Sequence, residues 1–415
     1  MHHFQSEQFK TMLFCDQRGV PLIMPNIFLL SLNNKRNVYK PKWLETQDQR
    51  RLKNVELITE RISPKTITEC SYELRKFLVW LTEFSDGKSH ISVVNHHNLP
   101  VQILNFYINQ VLVLDRKISE KMLDKAVNSL SHYYNYLAYH GFTSFKKIEI
   151  ENENRGIARE NTRKRNVVKY LSTRLRAEMY ANSHTLREEC LLKAGGECGL
   201  RTKENMGFLL NDFKVGVTIY QGMVSLFEML EQEKFKDKQD FKYWLQGKYS
   251  KGRRNGLGGK SRWIFIPRDV LERFKLYFEI ERPDCDHNSL FVTTSANGAF
   301  GPIREYQATR DFKAVKERVI EKQRLGLFPS YMDRLEDEHT YHILRHSFGT
   351  DKFHEVSEEN GLQIENVTHM DKPYLVVAEL LGHETDGLEA PQTTRKYIRS
   401  VQEKIRLDKN IMRGS

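Results

Sequence analysis

Between Arg155 and Arg176 the chain carries eight cationic residues: Arg155, Arg159, Arg163, Lys164, Arg165, Lys169, Arg174 and Arg176. Only Glu160 opposes them. A run this charged reads as a solvated linker helix or as a strap along phosphates. Apolar patterning resumes on both sides. The 415-residue chain is therefore expected to form two cores joined by a basic connection.

On the N-terminal side, residues 1–45 alternate short apolar runs (Phe28-Leu-Leu-Ser-Leu) with polar stretches and read as an arm or a small appended element. A helix is expected from Ser63-Pro64, where serine caps and proline suits the first turn. Its apolar face is Ile67, Leu74, Phe77, Leu78 and Leu81. A second helix runs from Pro100 through Leu104, Tyr107, Ile108 and Val111. A third starts near Ser119 and carries Leu123, Val127, Leu130, Tyr134 and Leu137 up to Gly141. The aromatic stripe reads as core rather than as a base-stacking surface. Residues 46–150 are thus expected as one helical domain, 151–170 as a basic linker and 171–415 as a second domain.

That second domain reads as α+β but mostly helical, which makes the whole chain mainly α with a small β component. Helices are expected over Leu186–Lys193, Val270–Phe278, Asp311–Arg324 and Thr340–Phe353. Tyr243-Trp-Leu and Trp263-Ile-Phe-Ile-Pro267 read as strands paired around a glycine-rich turn.

The formal net charge of +11 suggests a polyanionic partner, most simply nucleic acid. The five cysteines are odd in number and none has CxxC spacing, which argues against a disulfide framework or a thiolate zinc site. No apolar run of membrane-spanning length occurs, and the start lacks signal-peptide order. The expectation is a cytoplasmic protein, working at the bacterial nucleoid and not at a membrane.

Four stretches carry chemistry: Gly199-Leu-Arg-Thr-Lys-Glu204, the basic hairpin 248–262, His342-Ile-Leu-Arg-His-Ser-Phe-Gly-Thr350, and Leu380-Leu-Gly-His383 followed by Thr393-Thr-Arg-Lys-Tyr397. His342 and Arg345 are three apart, so one helical face presents both. His342 and His346 have metal-pair spacing, but Ile343 stands where a zinc protease needs glutamate. His346 reads as a supporting histidine, and no metal or cofactor is expected. Arginine forks match phosphate oxygens. Two arginines with histidines make a clamp for a phosphorane-like transition state. A tyrosine can attack phosphorus and store the bond as an ester, and a lysine can protonate the leaving oxygen.

In this order the motifs resemble the tyrosine recombinase (phage integrase) family: GLRxxE, a hairpin lysine, HxLRH, LLGH, then a tyrosine after Thr-Thr. The resemblance spans about 45–400. No single motif decides it; their order does. It implies a helical core-binding domain before an α+β catalytic domain, and site-specific recombination of double-stranded DNA by a homo-tetramer, with accessory DNA-bending proteins. Arg201 and Arg345 would hold the scissile phosphate. His342 and His383 would donate to its oxygens or assist proton transfer. Tyr397 would become linked to the 3′ phosphate, and Glu204 would buttress the arginine. Lys248, after a strand, and Lys260, before the returning strand, are both candidates for the general acid, with Lys251 a third. Strands paired around residue 254 or 255 would set Lys248 and Lys260 nearly opposite each other. Arg253 and Arg254 at the tip, and Arg163, Lys164 and Arg165 in the linker, are expected on DNA.

Three departures stand out: a charged stretch around Glu358 to Asp371, expected as a surface loop; an insertion, Asp386-Gly-Leu-Glu-Ala-Pro391, before the tyrosine; and an enlarged hairpin. Other readings share parts of the pattern. One is a recombinase-like DNA-binding protein that no longer cuts. Another is a topoisomerase or resolvase with the same chemistry. A third is a basic structural protein. The intact set Arg201, His342, Arg345, His383 and Tyr397 argues against loss of cutting.

Overall fold

The computed structural model describes residues 1–43, 55–84, 91–162, 170–250, 259–293, 300–329, 332–362, 370–383, Val401 and 404–407. The chain divides into two units, Met1–Lys164 and Arg165–Ser415.

The first unit opens with an antiparallel hairpin, β1 (His2–Ser6) and β2 (Thr11–Cys15), followed by α1 (Ile23–Lys35). A second hairpin pairs β3 (Asn37–Trp43) with β4 (Val55–Arg61). Then come α2 (Pro64–Phe84), α3 (Val101–Phe106), which widens into π turns over Tyr107–Asp115, α4 (Glu120–Tyr139) and α5 (Asn152–Glu160). The expected apolar faces of α2 and α4 are the buried ones. Leu74, Phe77, Leu78, Leu81, Leu123, Leu130, Tyr134 and Leu137 are all fully covered. Each such side chain contributes about 1.5–3 kcal/mol by leaving water.

Two expectations are corrected here. Residues 1–45 are not an arm: Phe14, Phe28, Leu29, Leu32 and Val38 join the core built by α2 and α4. Their apolar residues look scattered in sequence because two hairpins and one helix share them. Nor is all of 151–170 a connection. Helix α5 buries Ala158, and its Arg155 and Arg159 pair with Glu120 and Asp124 of α4. Residues 163–169, including Arg163, Lys164 and Arg165, lie outside the described residues.

The second unit contains α6 (Thr173–Ala181), α7 (Leu186–Gly196), a 3-10 turn (Thr202–Gly207), the hairpin β5 (Phe213–Val215) and β6 (Thr218–Tyr220), and α8 (Met223–Glu231). The hairpin β7 (Asp240–Leu245) and β8 (Arg262–Pro267) follows, then α9 (Arg268–Leu276), α10 (Gln307–Arg324), α11 (His342–Glu359) and α12 (Lys372–Leu380). The fold is mainly helical, with small two-stranded antiparallel sheets among the described residues. Glu358 and Glu359, expected in a loop, are the last residues of α11. No helix of the described residues is long and apolar enough to cross a membrane.

The β7–β8 register sets Leu245 opposite Arg262. Beyond this pair Gly247–Tyr249 form a 3-10 turn, so Lys248 stands outside the paired strands. Inward positions of β8 alternate as Arg262, Ile264 and Ile266. Arg262 thus enters the interior by strand geometry alone, and an interior arginine requires an anionic partner.

Candidate active site

That partner is Glu204, which is fully buried in the 3-10 turn after Arg201. Arg262 meets it with two parallel bonds, Nη1 to Oε1 at 2.9 Å and Nη2 to Oε2 at 3.0 Å. Arg201 adds its backbone N–H to Oε2 and its Nη1 to Oε1, both at 2.9 Å. Ser250 donates its hydroxyl to Oε1 at 2.8 Å. Arg345 stands 3.5 Å away through Nη1. Burial alone would raise the Glu204 pKa. Arg262 first, then Arg345 and Arg201, override it and hold the carboxyl well below the usual range.

Arg345 is fully buried on α11. Its Nη1 donates to the Gly199 carbonyl at 2.5 Å, and its Nη2 donates to the Leu381 carbonyl. These two carbonyls come from the GLR and LLGH motifs, so one guanidinium ties three motifs together. Gly199 has φ +67°, and a Cβ there would lie 2.5 Å from the Phe348 ring. Gly382 has φ +63°, and a Cβ there would strike the Arg262 side chain. Both glycines are required by a left-handed backbone and by close approach.

The start of α11 is fixed by Tyr341. Its buried hydroxyl donates to the Leu191 carbonyl at 2.9 Å and accepts from Asn205 at 3.0 Å. This places His342 at the first helical position, exposed, with its ring 4.8 Å from that of His346.

His383 is buried, with Nε2 at 3.4 Å from Arg345 Nη2. A guanidinium has no acceptor, so Nε2 carries the lone pair and the proton sits on Nδ1. Burial, then Arg345, Arg201 and Arg262, lower its pKa to about 2. At neutral pH His383 is an uncharged donor through Nδ1.

Three guanidiniums thus face one carboxylate, leaving two positive charges uncompensated by Glu204. Arg262 and Arg345 are committed to the protein, whereas the Arg201 side chain keeps 22% of its surface open. The arrangement is a prepaid anion seat with one accessible fork. Such a seat stabilises charge without reorganising.

The structure therefore brings together Arg201, Arg345 and His383 around Glu204. Lys248 and Lys260 are both exposed on the hairpin stems, Lys248 with its ammonium 5.0 Å from the Tyr249 ring centroid. Lys260 lines a groove with Lys242, Trp244 and Trp263. Tyr397, Lys251, Arg253 and Arg254 lie outside the described residues. Sequence reasoning missed Arg262 and Ser250. The sequence held no signal for Arg262, because Trp263 and Phe265 are as apolar as Ile264 and Ile266 and do not tell which face of the strand is inward. Among the described residues no group of His, Cys, Asp and Glu is arranged to hold a metal ion.

Over 156 residues this chain is 30% identical to the tyrosine recombinase XerA of Thermococcus onnurineus (strain NA1). Over that segment the chain is similar to a tyrosine recombinase. The match covers 37% of this chain and 43% of that recombinase, so the shared segment is less than half of either protein. No family model matches. Solved recombinase structures are also similar. XerH recombinase bound to difH substrate in a pre-cleavage complex is 16% identical, covers 82% of this chain and 78% of its own, and gives a TM-score of 0.47. Lambda integrase(75-356) bound as a dimer to a COC′ core site is 14% identical, covers 82% and 90%, and gives 0.43.

Proposed function

We propose that the protein is a tyrosine-type site-specific recombinase that cleaves and rejoins double-stranded DNA through a 3′-phosphotyrosine on Tyr397. The observation that carries this reading is the buried Arg345, held by carbonyls from two other motifs beside Glu204-anchored Arg201 and neutral His383.

In this reading Arg201 presents its open fork to the scissile phosphate, buried Arg345 adds its positive charge from behind it, and His383 donates to the charge that develops on the non-bridging oxygens. His342 donates from the start of α11. The Tyr397 hydroxyl gives its proton to neutral His342 or to water, and its oxygen bonds to phosphorus as the bond to the 5′ oxygen breaks. A hairpin lysine, Lys248 or Lys260, gives that oxygen its proton. Religation reverses the step: the 5′ hydroxyl of the incoming strand attacks and the tyrosine leaves. Bond energy is conserved in the ester, so neither ATP nor a metal is called for by this chemistry. Two duplexes each cut twice require four protomers, with DNA-bending partners shaping the paired sites. Arg163, Lys164, Arg165, Arg253 and Arg254 neutralise phosphates along the duplex.

The test is a nicked suicide duplex, taken from DNA flanking the gene, incubated with wild type or Tyr397→Phe in EDTA. A covalent band with wild type alone supports the reading. DNA binding without any band moves the protein to a non-cleaving DNA-binding role.

A further inference from the structure

Both stems of the lysine hairpin end on the same carboxylate. Ser250, two residues after Lys248, donates to Glu204 Oε1 at 2.8 Å. Arg262, two residues after Lys260, donates to Oε1 at 2.9 Å and to Oε2 at 3.0 Å. The stems are also clasped to each other: the Gly247 N–H donates to Ser261 Oγ at 2.8 Å, and a Cβ on Gly247 would fall 1.9 Å from the Gly259 carbonyl. Arg262 reaches further, donating through Nε to the Leu380 carbonyl at 3.1 Å. The hairpin is therefore joined to the motif that supplies His383.

We infer that Ser250 and Arg262 are positioning residues that set the hairpin lysine against the phosphate clamp through Glu204. The inference rests on the recombinase reading given above. Glu204 then has two tasks: one edge orients Arg201, and the same oxygens fix where the general acid stands. A side chain that merely filled space would not select this carboxylate from both stems. The hydroxyl of Ser250, itself buried, is spent on Glu204 although backbone carbonyls are available along any turn. Ser250 and Arg262 spend their bonds on Glu204 and the Leu380 carbonyl, so each acts through the placement of other groups. Misplacement of a reacting group by about 1 Å costs on the order of 100-fold in rate.

The chemistry supplies a test that separates placement of the acid from general damage. In the ordinary substrate the leaving 5′ oxygen must take a proton as its bond to phosphorus breaks. If sulfur replaces that bridging oxygen, the leaving thiolate departs without one. We would measure cleavage of both suicide duplexes by wild type, Ser250→Ala, Arg262→Lys, Lys248→Ala and Lys260→Ala. Ser250→Ala is the mildest, since it removes one uncharged donor to Glu204 and leaves the ion pairs intact. Far-ultraviolet circular dichroism and the melting temperature establish folding.

The expected result for Ser250→Ala is a loss of about ten-fold or more on the oxygen duplex and a rate close to wild type on the sulfur duplex, whereas Arg262→Lys, which also loosens Glu204 under Arg201, loses on both duplexes and more on the oxygen one. One of the two lysine variants shows the same rescue and so names the acid. Equal losses on both duplexes in a folded Ser250→Ala protein would overturn the inference, as would unchanged rates on the oxygen duplex. Failure of the recombinase reading itself looks different: wild type then forms no adduct on either duplex.

Discussion

Arg262 and Glu204 form a two-bond ion pair at 2.9 and 3.0 Å in which neither side chain is more than 4% exposed. This pair joins strand β8 to the turn that carries Arg201. Removing one partner strands the other as a buried charge, at a cost of about 3–5 kcal/mol. Glu204→Gln is therefore expected to lower the stability of the second unit by that amount in urea unfolding. Glu317→Gln, which removes the partner of Lys313 from an exposed pair, is the control and should stay within about 0.5 kcal/mol. Similar losses for the two would mean that the Glu204 cluster contributes no more than surface charge.

Acid lability follows from the same cluster. His383 has its pKa lowered to about 2 from an ordinary 6.5. Its contribution is full above 6.5 and is lost progressively as pH falls toward 2, because the unfolded state takes up the proton first. Glu204 is depressed as well, so its contribution begins to be lost as pH falls below the ordinary glutamate value of 4.5. Stability should decline in two stages, from about pH 6.5 and more steeply below about pH 4.5. His96 and His132 of the first unit, each lowered by burial to about 4, add to the first stage, so His383→Gln should reduce it without abolishing it, as read from urea midpoints between pH 4.5 and 7.5.

Gly199→Ala tests the backbone under Arg345. The position needs φ +67°, and the added methyl meets the Phe348 ring. The substitution should cost more than about 1 kcal/mol. It should also reduce cleavage, because the Gly199 carbonyl that holds Arg345 must shift. Unchanged cleavage would detach that carbonyl from the site's function.

Arg345→Lys keeps the charge and discards the fork. A lysine ammonium is a point charge and cannot reproduce the planar pair of bonds to the Gly199 and Leu381 carbonyls. Covalent-complex formation is expected to fall by about 100-fold or more, while filter binding of the duplex stays close to wild type. Parallel loss of binding would place Arg345 in the fold and not in transition-state stabilisation.

Much of this was legible in the sequence. Apolar spacing located α2, α3 and α4, because each buries one face, and α7, α9, α10, α11 and the strand pair around the glycine-rich turn were also legible as segments. Motif order gathered Arg201, Glu204, Arg345 and His383 before any distance was known, and the structure places these four together. Arg262 escaped notice because its importance depends on a partner 58 residues earlier, and periodicity carries no information about partners. Residues 1–45 were misread for a related reason. Phe14 and Phe28 are buried by α2 and α4, and short hairpins produce no stripe of their own. The role of Arg155 and Arg159 as ion-pair partners of α4 was hidden in the same way, since the run looked uniform by charge alone.

The central claim concerns which atom becomes bonded to DNA. The wild-type protein would be trapped on a suicide duplex, digested with nuclease and protease, and the nucleotide-bearing peptide sequenced by mass spectrometry. The account predicts a single modified peptide, with the 3′ phosphate on the hydroxyl of Tyr397. A nucleotide on any other residue, or no modified peptide from a sample that binds the duplex, would contradict it.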